Sequence, residues 1–131
     1  MKIFIICPIR NATEEQKTTL EKHISSLESK GHLVYYPARD TDQTDPIGFA
    51  ICDENFKGMR DADEVHILWD ENSSGTLFDL GMAFALRKPL KGINEVWPTA
   101  GKSFQRMIIW WSNHGVYESY SFHKTRSKEI S

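Results

Sequence analysis

No apolar run in this chain approaches the roughly 20 residues that a helix needs to cross a bilayer, so no membrane span is expected. Cysteine is scarce. The two present, Cys7 and Cys52, sit in apolar surroundings without CxxC spacing, which reads as reduced core thiols of a cytoplasmic protein and not as a disulfide pair. Neither sign of charge dominates: the formal net charge of −2 leaves no basic footprint for a nucleic-acid polymer. A small anionic ligand remains open, because it needs only local positive potential. The opening Met1 to Cys7 is too short for the apolar core of a signal peptide and runs into Pro8 with no small-residue cleavage site, so no leader is expected. His23, His32, His66, His114 and His123 show no HxxxH or HExxH spacing; neither a metal site nor a cofactor is expected. Ser73 and Ser74 are not in a GxSxG elbow. Pro98 to Ser103 superficially evokes a P-loop, but its first glycine would fall at Val96 and no strand directly precedes it.

What is present is alternation. Ile3 to Cys7 is a continuous apolar run ended by Pro8, the pattern of a strand buried on both faces of a parallel sheet. Thr13-Glu14-Glu15-Gln16 has the type and spacing of a capping box. Helical periodicity follows through Leu20, Ile24 and Leu27 and stops at Lys30-Gly31. His32 to Tyr36 is a second strand, cut off by Pro37. Arg39 to Gly48 is polar and is expected to be a mobile loop over a pocket. A helix is expected from about Pro46 to Asp61, with Phe49, Cys52, Phe56 and Met59 on one face and Asp53 and Glu54 solvated. Glu64 to Trp69 reads as a third strand, with His66 a satisfied core or sheet-edge histidine. A turn at Ser73 to Thr76 starts a helix through Leu86. Leu90 to Ile93 is a short fourth strand, and Lys102 to Trp111 a last helix. With 131 residues this order predicts an α/β doubly wound parallel sheet, flavodoxin- or Rossmann-like and three-layered, as a single domain over residues 1–118. Residues 119–131 read as a polar, frayed tail.

Folds of this class bind ligands at the carboxyl ends of their strands. Three loops converge there: Pro8 to Ala12, Pro37 to Gly48 and Asp70 to Thr76. They are rich in Arg, Asp, Ser and Gly. Arg10, beside backbone N–H groups at a helix start, suits a phosphate or carboxylate, although a solvated loop arginine fits equally well. Just past the third loop, Asp79 is one carboxylate inside an apolar segment, and acids are rarely buried without a partner or a task. Two readings stand: a catalytic acid, or the acid of a variant capping box, Thr76-x-x-Asp79.

Three blocks then resemble the nucleoside 2-deoxyribosyltransferase-like family, which also contains nucleotide N-glycosidases. Cys7-Pro8-Ile9-Arg10-Asn11 after the first strand is similar to the family's nucleotide loop. Asn55 to Asp63, running into Glu64-Val65, resembles a family helix that leads into a strand. Ser73-x-Gly75-x-x-x-Asp79-Leu80-Gly81-x-Ala83, followed by Lys88-Pro89, resembles the family's most specific signature. The match covers about residues 1–93. It implies a retaining mechanism at the sugar C1′, with Asp79 as the carboxylate nucleophile and Asn55 beside the leaving base. It further implies that Ser73 and Gly75 bind the phosphate or sugar end with Arg10 and Asn11 assisting, and that Ile9 and residues near Tyr36 face the base or sugar. Family members are dimers or larger, which implies a homodimer or higher homo-oligomer in which Asn113 of the Trp110-Trp111-Ser112-Asn113-His114 stretch completes the partner's pocket. The substrate implied is a small-molecule nucleoside or nucleotide. The chain departs from the family at two places: Asp79 stands where the signature has Glu, and Asn55 where transferases often carry Asp. A nucleotide-binding sensor that has lost the chemistry is the alternative on the same fold.

Overall fold

Ile3, Phe4, Ile5 and Ile6 of β1 (Lys2–Ile6) are all at most 1% exposed, because this strand is flanked on both sides and covered on both faces. The computed structural model describes residues 1–115. In it β1 pairs in parallel with β2 (Leu33–Tyr35) and β3 (Glu64–Ile67), and β3 pairs in parallel with β4 (Leu90–Gly92). The result is a four-stranded sheet in the order β2-β1-β3-β4. This is the α/β, flavodoxin-like arrangement that the alternation of elements predicts.

The two faces are covered unequally. Ile3, Ile5, Cys7, Val34 and Leu68 pack against Leu20 and Ile24 of α1 (Glu14–Ser29). On the other face Phe4, Ile6, Val65, Ile67 and Leu90 meet Met59 of α3 (Phe49–Asp61), Leu80 and Ala83 of α4 (Ser74–Ala85), and Ile108 and Trp111 of α5 (Phe104–His114). The expected capping box opens α1: Thr13 Oγ1 accepts from Gln16 N at 3.0 Å and Gln16 Oε1 accepts from Thr13 N at 2.9 Å. Beneath α1 a short polar file crosses to the sheet. Glu64 Oε1 lies 2.6 Å from His66 Nε2, and His66 Nδ1 lies 2.7 Å from His23 Nε2. His66 is thus the satisfied histidine expected. Burial first, then His66 and Lys30, pushes the His23 pKa down.

Two expectations need correcting. The expected loop is shorter and pinned: residues 39 and 40 are helical, and 41–48 carry no helix or strand. Pro37–Asp40 forms a short helix, α2. Arg39 donates to Val34 O at 2.8 Å and pairs with Asp40 and Glu28. Asp45 then accepts from Ile47 N and Ala50 N at 3.0 and 2.8 Å, doing the capping work that Gly48, at φ 87°, lacks a side chain to do. The packed face of α3 is also different: Phe49 is 79% exposed, while Asn55 and Met59 are buried. Helix phase is set here by the polar Asn55, not by the phenylalanines. The expected tail at 119–131, and residues 116–118 of the expected domain, lie outside the described residues.

Candidate active site

The loop after β3 ends at Ser73, whose hydroxyl caps α4 by accepting from Thr76 N at 3.2 Å and from the Thr76 hydroxyl at 2.9 Å. Because the helix begins at Ser74, Asp79 lies in its second turn and not at a capping position. The capping-box reading of Thr76-x-x-Asp79 therefore fails on helix phase. Asp79 is 9% exposed, and its carboxylate has no hydrogen bond or ion pair among the described residues. Burial alone raises its pKa from 3.8 to about 7.

Two thiols feel that charge. Cys7, buried at the carboxyl end of β1, is pushed up to about 12 by burial and then by Asp79. Cys52 on α3 is raised by the same two causes in the same order. Asp79 is therefore within electrostatic reach of both the end of β1 and the inner face of α3. Asn55, one turn along α3 from Cys52, is 6% exposed, and its Oδ1 accepts from Thr41 Oγ1 at 2.8 Å.

The remaining candidates fall into three situations. Arg10 and Asn11 are exposed in the loop after β1 and make no hydrogen bond or ion pair among the described residues. Ile9, half-buried, packs against the core under α1 together with Tyr36. Gly75 is exposed at the start of α4, and a Cβ placed there would meet nothing within 4 Å; nothing in the folded chain itself requires a glycine. Asn113 is exposed in the last turn of α5. Trp111 Nε1 donates to Lys88 O just before β4, so this end of α5 lies at the amino ends of the strands. Within one chain Asn113 is at the opposite edge from Asp79.

The carboxyl edge is tied together by contacts that the sequence alone does not announce. Gln16 Nε2 donates to Asp70 Oδ2 at 3.1 Å, joining the start of α1 to the loop before α4. Asn94 exchanges two hydrogen bonds with the backbone of Trp69, at 2.9 and 3.0 Å, prolonging the β3–β4 pairing. Thr41 and Tyr35, which hold Asn55, belong to no sequence motif. The one signal for them was a strand tyrosine whose hydroxyl needs a partner when half-buried. Two surface cavities lie elsewhere. One of about 390 Å³ is lined by Val34, Tyr35, Lys57 and Gly58, and one of about 560 Å³ by Phe84, Arg106, Met107 and Trp110. Neither includes Asp79, Asn55 or Arg10. Among the described residues, no group of three or more His, Cys, Asp or Glu side chains is placed to hold a metal ion.

The model of the family described as nucleoside 2-deoxyribosyltransferase matches residues 3–111. The chain belongs to the nucleoside 2-deoxyribosyltransferase family. The match takes in the loop at Ile9 to Asn11, Asn55, and the whole signature from Ser73 to Pro89; Asn113 falls beyond it. No curated protein matches the chain by sequence. Among solved structures, a 2-deoxyribosyltransferase from the psychrotolerant bacterium Bacillus psychrosaccharolyticus is similar with a TM-score of 0.59 and 21% identity, over 70% of this chain and 71% of that one. A CMP N-glycosidase from Clostridium botulinum is similar with a TM-score of 0.51 and 24% identity, over 70% and 67%. These likenesses are of fold. The deoxyribosyltransferase family is one of enzymes, and this chain is an enzyme of it. No described helix is long and apolar enough to cross a membrane.

Proposed function

We propose that this member of the deoxyribosyltransferase family cleaves the N-glycosidic bond of a nucleoside or nucleotide, by hydrolysis or by passing the sugar to a second base, with Asp79 as nucleophile. The carboxylate attacks C1′, the C1′–N bond breaks with its electron pair leaving on the base, and a glycosyl ester forms. Water or a second base then attacks the same carbon, and two inversions retain its configuration. One observation carries the reading: Asp79 is buried in the second turn of α4, at the end of the helix that meets the carboxyl edge, without a partner and with its pKa raised to about 7. A structural carboxylate would be expected to have a cation or donor beside it. Arg10, Asn11, Ser73 and the backbone around Gly75 hold the sugar end or a 5′-phosphate, which the start of a helix favours; Ile9 borders the sugar or base.

The protein acts in the cytoplasm as a homodimer or larger homo-oligomer. Leu77 and Phe78 on α4 are 39% and 56% exposed, an apolar face suited to a second copy. Asn113, remote from Asp79 in its own chain, then serves the pocket of the partner.

The test is release of free base, followed by chromatography, from a panel of nucleosides and 5′-nucleotides. The native protein releases base from at least one member, and Asp79→Ala and Asp79→Asn lose about 10³-fold or more of that rate. Full activity in Asp79→Asn removes Asp79 as nucleophile. No release from any member overturns the function. A thermal shift with one nucleotide would then mark a binding module.

A further inference from the structure

Asn55, which the family resemblance sets beside the leaving base, is not free to turn. Thr41 Oγ1 donates to Asn55 Oδ1 at 2.8 Å, with both residues buried. A hydroxyl has a single hydrogen, so in the 2.6 Å bond between Thr41 Oγ1 and Tyr35 Oη the donor is Tyr35. The tyrosine ring is itself fixed. It stacks on Phe4 with ring centroids 5.3 Å apart, and a Cβ at Gly58 would stand 2.9 Å from it. Donation thus runs one way, from Tyr35 to Thr41 to Asn55, and occupies the carboxamide oxygen. The Nδ2 amide has no partner among the described residues, and no side-chain nitrogen or oxygen there is both buried and unpartnered. The NH₂ group therefore reaches solvent. It does so on the face of α3 that carries Cys52, which feels the charge of Asp79.

We propose that Thr41, backed by Tyr35, fixes Asn55 as a hydrogen-bond donor to the leaving base, so that the base presents an acceptor there and departs as an anion. The proposal rests on the N-glycosidic reading. As the C1′–N bond breaks, its electron pair moves onto the base and spreads to a ring nitrogen or carbonyl oxygen. That atom accepts from Asn55 Nδ2, whose bond strengthens as charge develops. A carboxamide has no proton to give at neutral pH, so the base takes its proton from water after it leaves. The preferred substrates are nucleosides or nucleotides whose base holds negative charge well. Thr41 and Tyr35 are positioning residues.

The experiment is single-turnover base release from matched pairs: uracil and 5-fluorouracil, cytosine and 5-fluorocytosine, adenine and 2-fluoroadenine, each as 2′-deoxynucleoside and 5′-monophosphate. For the pair that the native protein accepts, the fluorinated base leaves about tenfold faster or more. Thr41→Val loses about tenfold or more in the release step with KM nearly unchanged, and Thr41→Ser retains the native rate. Asn55→Asp, which carries a proton at acid pH, narrows the gap between the pair as pH falls. Equal rates within the pair, or a native rate in Thr41→Val, overturn the proposal. A substrate-free measurement separates this failure from that of the glycosidic reading. The side-chain amide resonance of Asn55 in the free protein shifts in Thr41→Val and holds in Thr41→Ser; an unmoved resonance removes the lock. Absence of base release from every native pair instead removes the reading on which the lock was given its task.

Discussion

As the proposed nucleophile, Asp79 must be ionised to attack, yet its surroundings favour the neutral acid. For base release this predicts that kcat/KM rises with pH through an inflection near 7, flattening above it; a profile flat from pH 5 to 8 would rule out a carboxylate so buried. The same shift acts on stability with a definite sign. The folded pKa of about 7 lies above the ordinary 3.8, so the folded state holds the proton more tightly than the unfolded chain does. That contribution is complete below about pH 4 and is lost as pH rises through about 7. Asp79→Asn, neutral throughout, therefore gains on the native protein as pH rises, by on the order of 4 kcal/mol at most. Urea denaturation at pH 4.5 and pH 8 reads the difference. Asp79 was legible as a lone acid among apolar helical residues. Thr41 was not, because its importance lies in a bond to Asn55, fourteen positions away.

Helices and strands show the same division. The capping box of α1, the doubly buried β1 and the alternation of strands and helices that makes a parallel sheet follow from periodicity and punctuation, and could be read directly; the order β2-β1-β3-β4 could not. The phase of α3 could not, since an inward asparagine contradicts the hydrophobic pattern and is paid for by a hydrogen bond from another element. Lys88 of the Lys-Pro pair is a further case: Nζ donates to Ala62 O at 2.5 Å and Arg60 O at 2.8 Å, satisfying carbonyls at the end of α3. Lys88→Met is expected to cost about 1–3 kcal/mol in urea unfolding, with base release per folded molecule unchanged. Gly58→Ala would drive a Cβ to 2.9 Å from the Tyr35 ring, which cannot retreat without unstacking from Phe4. A loss of about 1–3 kcal/mol is expected, together with the Asn55 amide shift predicted for Thr41→Val.

For the whole molecule, assembly is the open quantity. Light scattering at micromolar concentration is expected to return at least twice the chain mass of 15.1 kDa. Phe78→Glu should lower that mass and weaken base release together, because in the proposed assembly the pocket then lacks its partner's Asn113; a native molecule that scatters as a monomer ends this account. With α3, α4 and α5 all packed on the opposite face, α1 is joined to its face of the sheet by apolar contacts and by the file Glu64, His66, His23. A single hydrogen occupies the 2.7 Å gap between the two imidazoles, since both rings cannot donate into it. Held in that bond on the half-buried side of α1, the ring hydrogen is expected to exchange more slowly with water than a free imidazole's. It should therefore give its own far-downfield proton resonance in a spectrum of the unlabelled protein. Its fading on warming, compared with the loss of ellipticity, would time the departure of α1 from the sheet, so the chain carries a built-in clock for its own unfolding.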